Sequence, residues 1–370
     1  MNPSVYGILL AGGSGTRFWP LSTKDQPKQF LSLVGEETMI QTTYNRFIGV
    51  IKPENWLVVT NQRYEEKVAE QLPKLEKSQI IGEPIARNTA PPIALACARI
   101  AAQDPNAVVV ILPSDHHIGD EAAFQEVIQR AILTAEEKDA LVTLGIQPTH
   151  PETGYGYIAY DRQAAWRHQG IEISFQVEAF REKPDRATAE EFLAHGNYLW
   201  NSGMFIWRAS RFLHEISIHM KDLYSQLAPF MNGEWSEASI HDFFLNTSSI
   251  SIDYGLMERS ERVWIVPGDF GWNDVGSWTA VHELATKDAH GNSTSGNRII
   301  TIDSLNNHVF VSKSANPSTH SQKLVALIGV EGMAIVDTGT VLMICPLDKA
   351  QEVKKAVEVL AQDPSLKPFR

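Results

Sequence analysis

Val5 to Ala11, VYGILLA, is a short and almost wholly apolar run that stops at Gly12-Gly13. Without polar alternation, a run of this length predicts a strand buried on both faces. The pattern recurs at Trp56 to Thr60, Ala107 to Leu112 and Leu141 to Gly145. Helical patterns stand between these runs. Ile40, Tyr44, Phe47 and Ile48 fall at helical spacing, Arg63 to Leu72 and Ala122 to Lys138 read as helices, and Thr89 can cap a helix whose first turn tolerates Pro91 and Pro92. With Gln79 to Ile81 as a further short strand, the alternation predicts a mostly parallel sheet covered by helices on both faces. Ligands bind such sheets beyond the carboxyl ends of the strands. The Gly12 loop and Pro113-Ser114-Asp115 are therefore expected to face one crevice.

The middle of the chain changes character. Tyr155 to Tyr160, Ile173 to Phe180 and Met204 to Trp207 predict longer, partly antiparallel strands. From about Gly291, turn residues separate short β-rich runs such as Arg298 to Ile302 and Leu324 to Ile328, and Lys349 to Leu360 reads as an amphipathic helix. A boundary is expected near residue 285, giving a larger domain over 1–285 and a β-rich one over 286–370. A formal net charge of −12 argues against a broad nucleic-acid or anionic-membrane surface, so an anionic ligand would be held by a few local cations. Cys97 and Cys345 stand apart, outside any C-x-x-C spacing, and read as buried small apolar residues. The N-terminus has no basic segment and no apolar run of membrane length, which places the chain in the cytoplasm.

Gly13, Ser14, Gly15 and Thr16 make a small-residue loop whose backbone N–H groups can approach an anion closely. Arg17 follows at once, and Pro27-Lys28 supplies a second cation. The string is not a P-loop, because G-x-x-x-x-G-K-[ST] is absent. It is not the dinucleotide fingerprint either, because Phe18 stands where the third glycine belongs. A glycine loop with two cations suits a triphosphate better than a dinucleotide. The whole string, Gly13-x-Gly15-Thr16-Arg17-Phe18-Trp19-Pro20-Leu21 through Pro27-Lys28, resembles the signature of the sugar-1-phosphate nucleotidyltransferases. Its Phe18-Trp19 variant is similar to the mannose-1-phosphate guanylyltransferases, and the likeness runs through most of residues 5 to 280.

The resemblance implies a Rossmann-like mixed sheet of the nucleotide-diphospho-sugar transferase type, followed by a small β-helix-like piece used in homodimer contacts. It implies the short form, with transferase activity alone and no isomerase domain. Gly12, Gly13, Gly15, Thr16 and Arg17 would hold the nucleotide's phosphates, with Lys28 near the α-phosphate. In Phe180-Arg181-Glu182-Lys183-Pro184, Lys183 would meet the sugar's phosphate and Glu182 a sugar hydroxyl, while Gly156 and Asn201 belong to the sugar-contacting turns. Taken alone, these are a solvated strand-end pair and ordinary turn residues.

Asp115, ending a buried strand, and Asp274, in the glycine-rich turn Gly271-Trp272-Asn273-Asp274-Val275-Gly276, come from separate loops. Alone, the first would cap a helix and the second a turn. With the phosphate loop, the pair can hold one Mg²⁺ and leave its other positions to phosphate oxygens and water. His116 and His117 have no further ligand at zinc spacing and read as polar scaffolding. Guanine presents an N1–H and an amino group side by side, which an acceptor-only carboxylate can take together. Glu83 is the candidate, with backbone groups around Asn88, Thr89 and Ala90 completing recognition of the base.

The implied reaction joins GTP and mannose 1-phosphate to give GDP-mannose and pyrophosphate, without a covalent intermediate. A second phosphate pKa near ~6 leaves the attacking oxygen largely ionised at neutral pH, so no nucleophile–base pair is needed. Another hexose 1-phosphate or nucleotide, and a non-catalytic nucleotide-sugar sensor on the same fold, remain open. A dinucleotide-dependent oxidoreductase is disfavoured by Arg17 and Phe18.

Overall fold

The computed structural model describes residues 4–13, 15–295, 298–312 and 324–369; Ser14 of the glycine loop lies outside them. The chain forms two compact units, one from Met1–Gly12, Thr43–Ser114 and Ile118–Trp272, the other from Gly13–Thr42, Asp115–His117 and Asn273–Arg370.

The first unit is built on a nine-stranded mixed sheet. Its strands are β1 (Val5–Ala11), β2 (Trp56–Asn61), β3 (Ile80–Glu83), β4 (Val108–Pro113), β5 (Leu141–Ile146), β6 (Gly156–His168), β7 (Ile171–Glu182), β8 (Tyr198–Arg208) and β9 (Val263–Gly268). They are arranged 3-2-1-4-8-5-9-7-6. The apolar runs are the central strands, and both faces of β1 are sealed: Ile8 and Leu9 point to opposite sides and neither has any exposed surface. The pairs β3–β2, β2–β1, β1–β4 and β5–β9 are parallel. The sheet departs from a parallel alternation at β8, which runs antiparallel between β4 and β5. The hairpin β6–β7 then closes that side antiparallel. The helix Ala90–Gln103 buries Ile93, Leu95, Cys97 and Ile100 in one core cluster with Ile8, Trp207 and Phe212.

At the carboxyl ends, β1 and β4 lie side by side with Leu10 opposite Pro113. The Ser114 backbone N–H and hydroxyl both donate to the Leu10 carbonyl, at 3.1 and 3.0 Å. The strand ends that precede the glycine loop and Asp115 are thereby locked together.

The second unit carries β10 (Ser293–Ser295), β11 (Arg298–Ile302), β12 (His308–Val311), β13 (Leu324–Ile328), β14 (Met333–Asp337) and β15 (Leu342–Pro346). Two sheets result, 10-12-14-15 and the parallel pair 11-13. The amphipathic segment predicted over Lys349 to Leu360 divides into a tight turn, Leu347–Glu352, and a helix, Val353–Gln362. The core gathers Phe18, Leu31, Trp278, Val336 and Val353 around Val275. Phe18 meets Trp278 edge to face at 5.4 Å, and the Trp278 indole N–H donates to the Trp19 carbonyl at 3.4 Å. The aromatic pair after Arg17 therefore anchors the motif turn to this core. Two expectations need correction. Cys345 is half-exposed rather than buried, and Ile48, beyond the end of the helix Met39–Asn45, is 56% exposed.

Trp278 is fully buried, so Trp278→Ala removes an aromatic ring from this cluster and is expected to destabilise the unit by about 3–5 kcal/mol. Urea unfolding followed by circular dichroism measures the loss; a change below about 1 kcal/mol would show that the cluster does not hold the motif turn.

Candidate active site

In the second unit, Gly15, Thr16, Arg17, Phe18, Lys28, Asp115, Asp274 and Gly276 line one cleft of about 360 Å³, together with His116, Val275 and Lys354. Gly15 opens a tight turn over Thr16–Phe18 with φ of 57°, in the left-handed region. A Cβ there would stand 2.6 Å from the Lys28 Cβ and 2.9 Å from the Lys28 backbone nitrogen. Glycine is required twice at this position, by backbone conformation and by the close approach of Lys28. The N–H groups of Gly15, Thr16 and Arg17 have no acceptor among the described residues, as the start of a helical turn leaves them. The Arg17 guanidinium is exposed and likewise unpartnered among them.

Lys28 behaves oppositely. It is only 7% exposed, and its Nζ donates to Asp115 Oδ2 at 3.0 Å and to the Asp274 carbonyl at 2.6 Å. Burial pushes the Asp115 carboxyl up, but the Lys28 ammonium and then His116 outweigh it and hold the group below the usual carboxylate range. The loops bearing the two aspartates are tied by reciprocal backbone hydrogen bonds between His117 and Asn273, at 2.8 and 3.1 Å. Val275 sits at φ 48°, an uncommon conformation for a β-branched residue, and the Asn273 side chain accepts its N–H at 2.7 Å. Asp115 and Asp274 offer hard oxygen donors in one cleft, the donor type that a divalent cation takes. No group of three or more His, Cys, Asp or Glu among the described residues could cage a metal.

The first unit holds the other predicted residues in two places. At the end of β3, Glu83 is 7% exposed. Its carboxylate accepts a backbone hydrogen bond from Arg87, while Oε1 has no partner. Burial dominates and pushes the carboxyl up to about 7. The following segment is pinned by Arg87, which donates to the Phe244 and Leu245 carbonyls. Asn88 is left-handed, with φ 64°. Thr89 stands at the N-cap position, yet its hydroxyl accepts the Ile252 N–H instead of capping the helix. The Ala90 N–H is already donated to Ile250, so of these three residues Asn88 retains the freer polar side chain.

At the other place, Gly156 pairs with Glu182 across β6–β7, and a Cβ on Gly156 would lie 2.5 Å from Glu182 Oε2. Lys183, at φ 46°, donates from Nζ to Glu182 Oε1 at 2.6 Å; this bond raises the Lys183 pKa. Asn201 donates to Asp253 Oδ1 at 2.7 Å. Burial, and then the nearby Glu182 charge, push Asp253 up to about 6. Sequence reasoning missed Asp253. It lies in Ser251-Ile252-Asp253-Tyr254, and no spacing rule links that acid to Asn201 or Glu182. Gly12 and Gly13 follow β1 and are exposed. No helix among the described residues is long and apolar enough to cross a membrane.

Residues 6–291 match the nucleotidyl transferase family, and residues 297–360 match the MannoseP isomerase/GMP-like beta-helix domain. The chain belongs to the nucleotidyl transferase family. It is 40% identical over 362 residues to the alginate biosynthesis protein AlgA of Pseudomonas aeruginosa, spanning 95% of this chain and 71% of that protein. A mannose-1-phosphate guanylyltransferase of Escherichia coli is 39% identical over 363 residues, 96% of this chain and 74% of the relative. A solved structure named as mannose-1-phosphate geranyltransferase of Thermus thermophilus superposes with a TM-score of 0.84 at 31% identity, covering 98% of this chain and all of the other.

The Glu83 carboxyl keeps its proton to about pH 7 in the fold, against about 4.5 in the unfolded chain. Folded protein therefore binds the extra proton between these values, and stability falls as pH rises through that window. Glu83→Gln removes the buried charge. Its thermal midpoint is expected to exceed that of the wild type at pH 8, by the equivalent of a few kcal/mol, and to match it near pH 4.5. Equal midpoints at pH 8 would show that Glu83 ionises without penalty.

Proposed function

We propose that this protein transfers GMP from GTP to α-D-mannose 1-phosphate, giving GDP-mannose and pyrophosphate. The observation that carries the reading is that Arg17, Lys28, Asp115 and Asp274, from distant parts of the sequence, line one cleft beside unpartnered backbone N–H groups. The guanylyltransferase name of relatives about two-fifths identical over nearly the whole chain supports the choice of nucleotide and sugar.

In this reading a phosphate oxygen of the sugar 1-phosphate attacks the α-phosphorus of GTP. The bond from that phosphorus to the oxygen bridging to the β-phosphate breaks, and pyrophosphate leaves. The attacking oxygen is already ionised, so the protein's task is alignment and charge neutralisation. Arg17 and the N–H groups of Gly15 and Thr16 hold the departing pyrophosphate. Lys28, fixed by Asp115, faces the α-phosphate. Lys183 receives the sugar's phosphate, and Glu182, Asn201 and Asp253 accept or share hydrogen bonds with its hydroxyls beside Gly156, where a side chain would crowd Glu182 and Asn201. The unpartnered Glu83 oxygen accepts from the Watson–Crick edge of guanine. Asp115 and Asp274 would hold Mg²⁺, which when bound supplies positive charge to the phosphate oxygens.

A homodimer through the β-rich unit belongs to the same proposal. The outward face of β11–β13 presents Ile300, Ile302, Leu324 and Ile328, each about half or more exposed, which favours burial against a second copy.

Purified protein given GTP, mannose 1-phosphate and Mg²⁺ is expected to release pyrophosphate and form GDP-mannose, with glucose 1-phosphate a poorer acceptor. No turnover with any sugar phosphate would favour a non-catalytic binding role. Losing one charged contact in a closed site removes about 3 kcal/mol of transition-state stabilisation, so Arg17→Ala and Asp274→Asn should each slow the reaction roughly a hundredfold. Near-normal rates would mean that the phosphates or the metal sit elsewhere. Glu83→Gln is expected to narrow the preference for GTP over the other three triphosphates; an unchanged ranking of kcat/KM removes Glu83 from base recognition.

A further inference from the structure

The cleft has a third long-chain cation, far from the glycine-loop motif in sequence. Lys354 lies at the start of the helix Val353–Gln362, in the β-rich unit, and lines the same cleft as Arg17 and Lys28. The helix buries Val353, Val357 and Leu360, which leaves Lys354 exposed beside the turn Thr16–Phe18. Its chain neighbour Lys355 is neutralised by Glu352 at 2.7 Å. Lys354 has no hydrogen-bond or ion-pair partner among the described residues. Lys28 is committed to Asp115, whereas Arg17 and Lys354 are the two cleft cations with no intramolecular partner among the described residues. In a chain of net charge −12, two uncommitted cations facing one cleft mark a site for an anion larger than a single phosphate.

We propose that Lys354 binds the β- and γ-phosphates of the nucleotide, and hence the pyrophosphate product, so that the β-rich unit supplies part of the phosphate site. This rests on the reading above for the identity of the nucleotide, but not for the presence of a polyphosphate site. The attacking sugar phosphate lies at the far side of the α-phosphorus in an in-line displacement, so Lys354 acts on one substrate only. The effect is a binding effect on GTP and pyrophosphate, with the KM for mannose 1-phosphate unchanged.

The test is calorimetric titration of the full chain with pyrophosphate and Mg²⁺, for the wild type, Lys354→Ala, Lys354→Arg and Lys355→Ala. Losing one charge-assisted contact is expected to weaken pyrophosphate binding roughly tenfold in Lys354→Ala. Lys354→Arg should restore most of the affinity, and Lys355→Ala should stay within about twofold of the wild type because that charge is spent on Glu352. The thermal midpoint of Lys354→Ala should equal or slightly exceed that of the wild type, which excludes a folding defect. Equal pyrophosphate affinity in Lys354→Ala and wild type overturns the proposal, as does an equal loss in Lys355→Ala. If the wild type makes no GDP-mannose while Lys354→Ala still loses pyrophosphate, the functional reading falls and this one stands. In the active enzyme, a rise in the KM for mannose 1-phosphate equal to that for GTP would also overturn it.

Discussion

The second unit depends on a buried ammonium. Lys28 is removed from water and held by one carboxylate and one backbone carbonyl. A buried cation with a partner missing is destabilising by about 3–5 kcal/mol, so each group around it is constrained by the others. Gly15 must lack a side chain for Lys28 to lie where it does. Asp115 must remain ionised, and the Asp274 carbonyl must point inward. The His117–Asn273 pairing fixes the two aspartate loops to one another. Three stretches with no common sequence pattern thereby acquire one geometry before any ligand arrives, which is what electrostatic catalysis of a phosphoryl-type transfer demands.

Backbone strain falls at the same places. Seven described non-glycine residues have positive φ. Asn88, Asp139, Asp303 and Asn306 are of the Asn/Asp type that tolerates this region, and Gln169 stands in the turn joining β6 to β7. Lys183 and Val275 have no such excuse. One follows Glu182, and the other follows Asp274. Positions of this kind persist where the surroundings over-determine them. Lys183 is tied by its N–H to Tyr155 and by its side chain to Glu182, and Val275 is fully buried with its N–H taken by Asn273.

Much of this was legible in the order of residues. Unbroken apolar runs bounded by turn residues fit doubly covered strands, and the glycine loop followed by Arg17 and Lys28 stood out by its whole string rather than by its glycines alone. What escaped was long-range. Met204 to Trp207 announces a partly antiparallel strand, but not that it inserts between β4 and β5, because the residue pattern encodes burial and not the choice of neighbour. Asp253 reads as one more acid in a short helix until the fold presents Asn201 to it. Thr89 carries a helix-cap signature, but its hydroxyl is claimed by Ile252, a competitor that local sequence cannot reveal. Lys354 and Lys355 are chemically identical in the sequence; only the burial of Val353 decides which of them faces the cleft.

The carboxylates divide by environment. Asp115 is held below its ordinary range by an adjacent ammonium, so it stays an anion and can meet a cation. Glu83 and Asp253 are pushed up by burial, to about 7 and about 6. Such groups are poor partners for a metal but good ones for neutral polar ligands, since a donor arriving in the pocket can take the place of the lost water. Environments that drive like residues apart in pKa are the usual means by which one fold assigns them different tasks. The carboxyl groups raised by burial therefore lie in the unit built on the large sheet, and the one held ionised by an ammonium lies in the unit built around Lys28.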